Sequence, residues 1–264
     1  MKEKTCVLIR GAGDLASGIA LRLFHSGFMI VMTDLPEPTA IRRSVAFSEA
    51  IRKGECQVEE VRAFRAENAK EAIELIRKGF IAVVPDPGKE IIKALKPAVV
   101  VDAILAKKNL GTLITDAPVV IGVGPGFTAG ADCHAVIETK RGHTLGRVIL
   151  KGSAIPNTGI PGIISGFGAE RVLRSPAEGV FRPLKEIGDI VRKGEEVART
   201  GDAPLYATID GMLRGLLPEG IYVTAGFKCG DIDPRGEEAD FTTVSDKALS
   251  VGGGVLEAIL RFMP

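Results

Sequence analysis

Several residue types are scarce in this chain, and each scarcity narrows its class. Its 264 residues hold four cysteines, Cys6, Cys56, Cys133 and Cys229, far apart and without a CxxC pair. That usage points to reduced thiols in a cytoplasmic protein, with Cys6 in the core of the first strand and no metal site expected. Amides are few: Gln57 is the single glutamine, and Asn68, Asn109 and Asn157 are the asparagines. Few thermolabile amides beside many Lys, Arg and Glu suggest a thermophilic source. No apolar run approaches the length of a membrane span. The formal net charge of +1 gives no reason to expect nucleic acid or an anionic membrane as partner. Met1-Lys2-Glu3-Lys4 leads straight into a strand pattern, so no signal peptide is expected. HExxH and GxSxG patterns are missing too.

The composition, 45% hydrophobic and 25% charged, is that of a globular protein with room for about two domains. The most informative stretch lies near the start. Cys6-Val7-Leu8-Ile9 enters Gly11-Ala12-Gly13-Asp14-Leu15-Ala16, a helical pattern follows, and a second apolar run ends on Asp34. Leu15, Ile19 and Leu23 share one helix face, Ala16 and Ala20 lie beside them, and Gly27 caps the end. A strand, a glycine turn, a helix and an acid at the next strand's tip are the parts of a nucleotide grip. Gly11 permits the turn, Gly13 lets the backbone approach a pyrophosphate, and Asp34 (34 − 13 = 21 residues on) can reach a ribose hydroxyl. The helix N-terminus adds free N–H groups. Alternatively, the glycines only form a tight turn and Asp34 caps a loop. Arg10, Arg42 and Arg43 add positive charge nearby, so NAD, NADP and a non-nicotinamide nucleotide stay open.

The first half continues as strand and helix in alternation. Thr39 can cap a helix running towards Lys53-Gly54, a strand lies near Val58–Phe64, and Asn68–Lys78 and Gly88–Leu95 are helical. Buried strands are expected at Phe80–Val84, Ala98–Val101 and Val119–Val123. Apolar strands alternating with helices imply a parallel sheet with both faces covered, whose ligand lies beyond the strands' carboxyl ends. That rule adds Asp102, with Lys107 close by, and the loop Gly124-Pro125-Gly126-Phe127, whose N–H groups would suit an anion. Asp102 could equally cap a loop, and the glycine loop could be a plain connection.

Cys133–Thr139 and His143–Leu150 flank Arg141-Gly142 and read as a hairpin. On its first strand His134, Val136 and Glu138 share a face. His134 and Glu138 are candidates for proton transfer, with Lys107 a third, or they form a polar solvent face. Gly152–Gly162 reads as a connection between domains. Beyond it, about Arg171 to Pro234, two stretches share the form of an apolar–Gly–apolar strand followed by Gly-x-x-Val-x-x-Gly. They form a weak internal repeat and hence a small pseudo-symmetric β-domain. It resembles biotinyl and lipoyl carrier domains of the barrel-sandwich type, but its tip, Gly201–Tyr206, has no lysine to modify. Asp246-Lys247-Ala248, a triplet seen around lipoyl lysines, lies outside the repeat. Tyr206, Cys229 and Asp231–Arg235 are ligand candidates by position alone. Gly252-Gly253-Gly254 opens a final amphipathic helix, as an anion site or, more commonly, to allow close packing.

The expected fold is therefore α/β: a Rossmann-like doubly wound parallel sheet (1–130), a hairpin and connection (131–162), a β-rich barrel-sandwich-like domain (163–240) and a C-terminal docking helix (241–264).

LIRGAGDLASG at Leu8–Gly18, MTDLPEPTAIRRSVA at Met32–Ala46, VGPGFTAGADCHAVIETKRGHTLG at Val123–Gly146, PNTGIPG at Pro156–Gly162, GDIDPR at Gly230–Arg235 and the closing VGGGVLEAIL resemble the YqeB family from end to end. Its members are accessory proteins of the selenium-dependent molybdenum hydroxylase system. The resemblance implies a role in maturing or supplying such hydroxylases, with the hydroxylase or another maturation factor as partner; it carries over no catalytic residues. The acid after the second strand is often Glu in that family, and Asp34 keeps the carboxylate. Three readings follow. The first is a maturation factor that binds NAD(P) or a molybdopterin dinucleotide. The second is an NAD(P)-dependent oxidoreductase, and the third a non-enzymatic scaffold. Homo-oligomerisation stays open.

Overall fold

A computed structural model describes residues 5–157, 159 and 162–263. The expected N-terminal lead-in and part of the expected connection at Gly152–Gly162 lie outside the described residues. The chain forms two compact units: Met1–Pro38, Ala46–Thr158 and Val244–Pro264 make the first, and Thr39–Val45 and Gly159–Thr243 the second.

The first unit is built on nine strands: β1 (Cys6–Arg10), β2 (Met29–Asp34), β3 (Glu55–Val58), β4 (Val61–Arg65), β5 (Ile81–Pro85), β6 (Val99–Asp102), β7 (Val119–Val123), β8 (Ala135–Ile137) and β9 (Val148–Ile149). Their order in the sheet is β3-β4-β5-β2-β1-β6-β7-β8-β9. β4 through β8 run parallel in that order, and β3 and β9 close the edges antiparallel. The helices are α1 (Asp14–His25), α2 (Glu49–Lys53), α3 (Ala69–Arg77), α4 (Glu90–Leu95) and α5 (Asp246–Phe262). β1, β6 and β7 are buried almost throughout, as continuous Val/Ile/Leu runs require when helices cover both faces. Each fully buried Leu or Ile there contributes roughly 1.5–3 kcal/mol. Asn68 starts α3 by accepting the Glu71 N–H through its side chain.

Three local expectations need correction. The strand near Val58–Phe64 is a hairpin of β3 and β4, turned by Glu59 at φ 52°. The helix expected from Thr39 to Lys53 is broken. A 3-10 turn forms at Arg43–Val45, and α2 starts only at Glu49. Between them the chain is tied to the glycine turn: Phe47 N donates to Ser17 Oγ and Ser48 N to Ala12 O. The final helix begins at Asp246, not at the glycines. Ser245 caps it, and Gly252–Gly254 lie inside it. They serve close approach: a Cβ on Gly252 would meet Gly18 O at 3.1 Å, and one on Gly18 would meet Ala248 Cβ at 2.5 Å.

The second unit holds two antiparallel sheets. Its strands are β10 (Val172–Arg174), β11 (Gly179–Pro183), β12 (Ile190–Val191), β13 (Glu196–Thr200), β14 (Ala203–Tyr206), β15 (Gly211–Leu216), β16 (Tyr222–Val223) and β17 (Lys228–Asp233). One sheet is β10-β17-β15-β12 and the other β14-β13-β11-β16. Phe181, Val197, Leu205, Leu213, Val223 and Ile232 pack in its core. The internal repeat has a conformational counterpart. Gly179 and Gly211 have φ of 144° and 150°, Gly188 and Gly220 of 105° and 92°, and Gly194 and Gly226 of 85° and 79°. Each pair is 32 residues apart (179 to 211, 188 to 220, 194 to 226). The repeats also exchange strands: Gly179 pairs with Val223, and Val191 with Gly211. The chain is thus a mixed α/β protein with a large, mainly parallel sheet, separate antiparallel sheets and one C-terminal helix.

Candidate functional site

β1 is followed in space by β2 on one side and β6 on the other. The chain therefore leaves β1 and β6 in opposite directions, and in open α/β sheets ligands bind at the carboxyl ends of strands in this order. Gly11 occupies that point. Its N–H donates to Thr33 O at 2.7 Å, its φ is 99°, and a Cβ there would sit 2.7 Å from Ala103 O. The fold itself requires this glycine. Gly13 differs: as the N-cap of α1 it has φ −70°, a value any residue adopts, and nothing lies within 4 Å of where its Cβ would be. Asp14 and Leu15 follow as the first, half-buried residues of α1.

Asp34 reaches back to the turn. Its Oδ2 accepts the Ala12 N–H and its Oδ1 the Leu35 N–H, each at 2.8 Å. Burial pushes its carboxyl above the usual range, and the two backbone bonds offset part of that rise. Gly11, Ala12, Gly13 and Asp34 thus converge as the spacing suggested.

Arg10 and Asp102 behave otherwise. They are register partners on β1 and β6, and Arg10 Nη1 lies 3.0 Å from Asp102 Oδ2. Thr112 Oγ1 donates to the same oxygen at 2.5 Å and accepts from Arg10, and the Ile104 N–H reaches Oδ1 at 3.2 Å. Asp102 is turned into the protein, and Arg10 is neutralised there rather than lending charge to the turn. Arg43 Nε donates to Leu216 O within the second unit, and Arg42, beside it, is buried.

The glycine loop after β7 is shaped by packing. Gly124 N donates to Ile137 O, and a Cβ on Gly126 would meet Lys108 N at 2.7 Å. Phe127 is a core residue; its ring covers Gly122 so closely that a Cβ there would lie 2.5 Å from it. Asp132 pins this loop through Thr128 N at 2.7 Å.

No hydrogen bond joins His134 to Glu138 among the described residues. His134 Nδ1 accepts the Val120 N–H at 3.0 Å, and its ring packs on Phe262. Buried Glu138 accepts N–H groups from Thr139, Lys140 and Ile155. Lys107 is exposed on the loop after β6, with φ 64°. In the second unit Cys229 is buried, its thiol pushed up to about 11 by desolvation. Asp231 and Asp233 alternate with Arg171, Arg214 and Arg235 in an ion-pair chain. Burial pushes the Asp233 carboxyl upward, but Arg235 and Arg214 hold it below its usual value.

Sequence reasoning missed Thr112 and noted Lys247 only as part of a chance triplet. Thr112 carries no local signal. Lys247 lies one residue before Ala248, which touches Gly18 of α1, so it stands beside the early turns of that helix. It is half-buried; burial and the neighbouring Arg141 lower its amine pKa, while Asp14, Glu138 and Asp246 oppose that shift. Among the described residues no group of three His, Cys, Asp or Glu could hold a metal ion, and no helix is long and apolar enough to cross a membrane.

Fold and site together define a mixed α/β protein with a glycine turn at the carboxyl edge of a parallel sheet. Over 257 residues, 97% of this chain, it is 55% identical to the uncharacterized protein YqeB of Escherichia coli strain K12. The chain spans about half of that relative's length, 48%. No protein-family model matches it. Among solved structures, an aspartoacylase family protein from Mesorhizobium loti aligns at 11% identity over 87% of this chain and 85% of that one, with a TM-score of 0.27. A succinylglutamate desuccinylase/aspartoacylase from Rhodobacter sphaeroides aligns at 15% identity over the same shares, 87% and 85%, again at 0.27. Superpositions this loose carry no argument about fold or activity.

Proposed function

We propose that the first unit is a Rossmann-like domain that holds a nucleotide or dinucleotide at the carboxyl ends of β1 and β6, within a cytoplasmic accessory factor for the maturation of a molybdenum hydroxylase. The observation that carries the nucleotide reading is the contrast between Gly11 and Gly13. Packing explains Gly11. Among the described residues nothing lies within 4 Å of where a Gly13 Cβ would be, at a helix N-terminus where a pyrophosphate would come close. Asp34 holds the turn and keeps lone pairs for a ribose hydroxyl. Candidate ligands are NAD(P) and the molybdopterin dinucleotide; both contain a pyrophosphate. The hydroxylase assignment rests on the YqeB resemblance. The second unit is, in this reading, a barrel-sandwich-like module without a carrier lysine, supported by its 32-residue repeat and exchanged strands.

Handling of a cofactor is preferred to oxidoreductase chemistry because His134 and Glu138 are already engaged with backbone N–H groups. The test is a thermal-shift screen with NAD, NADH, NADP, NADPH, ADP, CDP, CTP and a molybdopterin dinucleotide extract. A ligand specific to the folded state raises the melting temperature. A shift with cytidine nucleotides or the extract, lost in Gly13→Val, is expected. A shift with nicotinamide nucleotides alone would move the reading to an oxidoreductase. No shift with any compound would leave a scaffold.

A further inference from the structure

The chain has two tyrosines and no tryptophan. Both tyrosines lie on one exposed face of the sheet β14-β13-β11-β16. Tyr222 is 64% exposed and stands directly opposite Val180, which is 47% exposed. Arg182 lies two residues after Val180, on the same face, and opposes Arg199. Arg199 in turn opposes Pro204, and Tyr206, two residues beyond, is 50% exposed. The register thus sets Tyr222, Val180, Arg182, Arg199 and Tyr206 across all four strands. The inward residues of the same strands, Phe181, Val197, Leu205 and Val223, already form the core. The outer apolar groups are therefore not needed to fold the unit. Two arginines on the central strands flanked by tyrosines on the edge strands have the residue types of interaction hot spots.

The charges choose the occupant. Like charges directly opposite on neighbouring strands disfavour each other. Arg199 is relieved by Glu196, Nε to Oε1 at 2.7 Å. The exposed side chain of Arg182 has no hydrogen-bond or ion-pair partner among the described residues. A second copy seated on this face would bring two more arginines to the same centre. Nucleic acid would want a basic field, and the net charge is +1. A carboxylate between apolar groups complements the face best. We infer that this sheet face docks a protein segment that offers an Asp or Glu to Arg182 while aromatic or aliphatic neighbours cover Val180, Tyr206 and Tyr222.

The test is selection of a random peptide library on the intact chain, with affinities then measured on purified peptides. The expected consensus is an acidic residue flanked by aromatic or aliphatic ones. Its binding should fall at least about tenfold in Arg182→Glu and in Tyr222→Ser, and persist in Tyr222→Phe. Reselection on Arg182→Glu should replace the acid by Lys or Arg. All these side chains are exposed; should one variant fail to fold, Val180→Thr probes the same face. Selected peptides that bind every variant equally, or that carry no acid, overturn the proposal. So does a dimer in size-exclusion chromatography that Tyr222→Ser dissociates, which would assign the face to a second copy. Binding of an oligothymidine probe that is lost in Tyr222→Ser would assign it to nucleic acid and overturn it as well.

Discussion

Arg10 and Asp102 stand directly opposite each other at the carboxyl ends of adjacent parallel strands, 3.0 Å apart, with side chains only 4% and 2% exposed. Removing one partner leaves an uncompensated buried charge. Asp102→Ala should destabilise the first unit by about 3–5 kcal/mol, whereas replacing both residues by apolar ones of similar volume should restore much of that. Denaturant unfolding of the two single variants and the double variant measures the difference. A single variant as stable as wild type would mean the pair contributes no net constraint.

The two turn glycines should separate cleanly. Gly11→Ala forces a side chain into positive φ and against Ala103 O at 2.7 Å, so a loss of about 3 kcal/mol is expected. Gly13→Ala meets open space and should cost about 1 kcal/mol or less. Thermal melts without ligand give both numbers. Equal losses would show that Gly13 has a structural duty.

Inside α5 two adjacent glycines make opposite predictions. A Cβ on Gly254 would lie 2.0 Å from Gly146 O, so Gly254→Ala should cost several kcal/mol, about 3 or more, or unfold the unit. Gly253 has nothing within 4 Å, and Gly253→Ala should stabilise by about 0.5–1 kcal/mol through helix propensity. Chemical unfolding of the pair checks the contrast.

Lys247 gives a pH dependence. Its folded-state pKa is lowered from 10.5, chiefly by burial. The charged amine is therefore penalised in the folded state at every pH below its folded pKa. The penalty fades as pH rises from there to the unfolded value. Lys247→Met should raise the melting temperature at pH 7, and the gain should shrink towards zero as pH approaches 10.5. A gain independent of pH would trace to packing instead.

Much of the parallel sheet was legible in the sequence because its strands are continuous apolar runs, and β1, β2, β5, β6 and β7 fall where those runs are. Errors arose where distant partners decide. Gly252–Gly254 read as the start of the final helix, whereas the helix runs through them with Gly18 and Gly146 packed close against them. Phe47 and Ser48 interrupt a helical pattern because Ser17 of α1 and Ala12 of the glycine turn take their N–H groups. The turn and Asp34 obey a local spacing and could be found. The pairing of Arg10 with Asp102 could not, because only the strand order brings β6 beside β1. Phe127 was read as a ligand contact for the same reason: its partner, Gly122, becomes informative only once the loop folds back.

The exchanged strands of the second unit bear on how that unit can be divided. Gly179 of the first repeat pairs with Val223 of the second, and Gly211 of the second with Val191 of the first. Cleavage at the exposed tip Gly201-Asp202 would break four of the six strand pairings of the unit and leave each piece with one, β11 with β13 or β15 with β17. Neither piece is a folding unit. Mixed, they should reassemble by fragment complementation, and a circular permutant opened at that tip, which keeps both repeats on one chain, should fold.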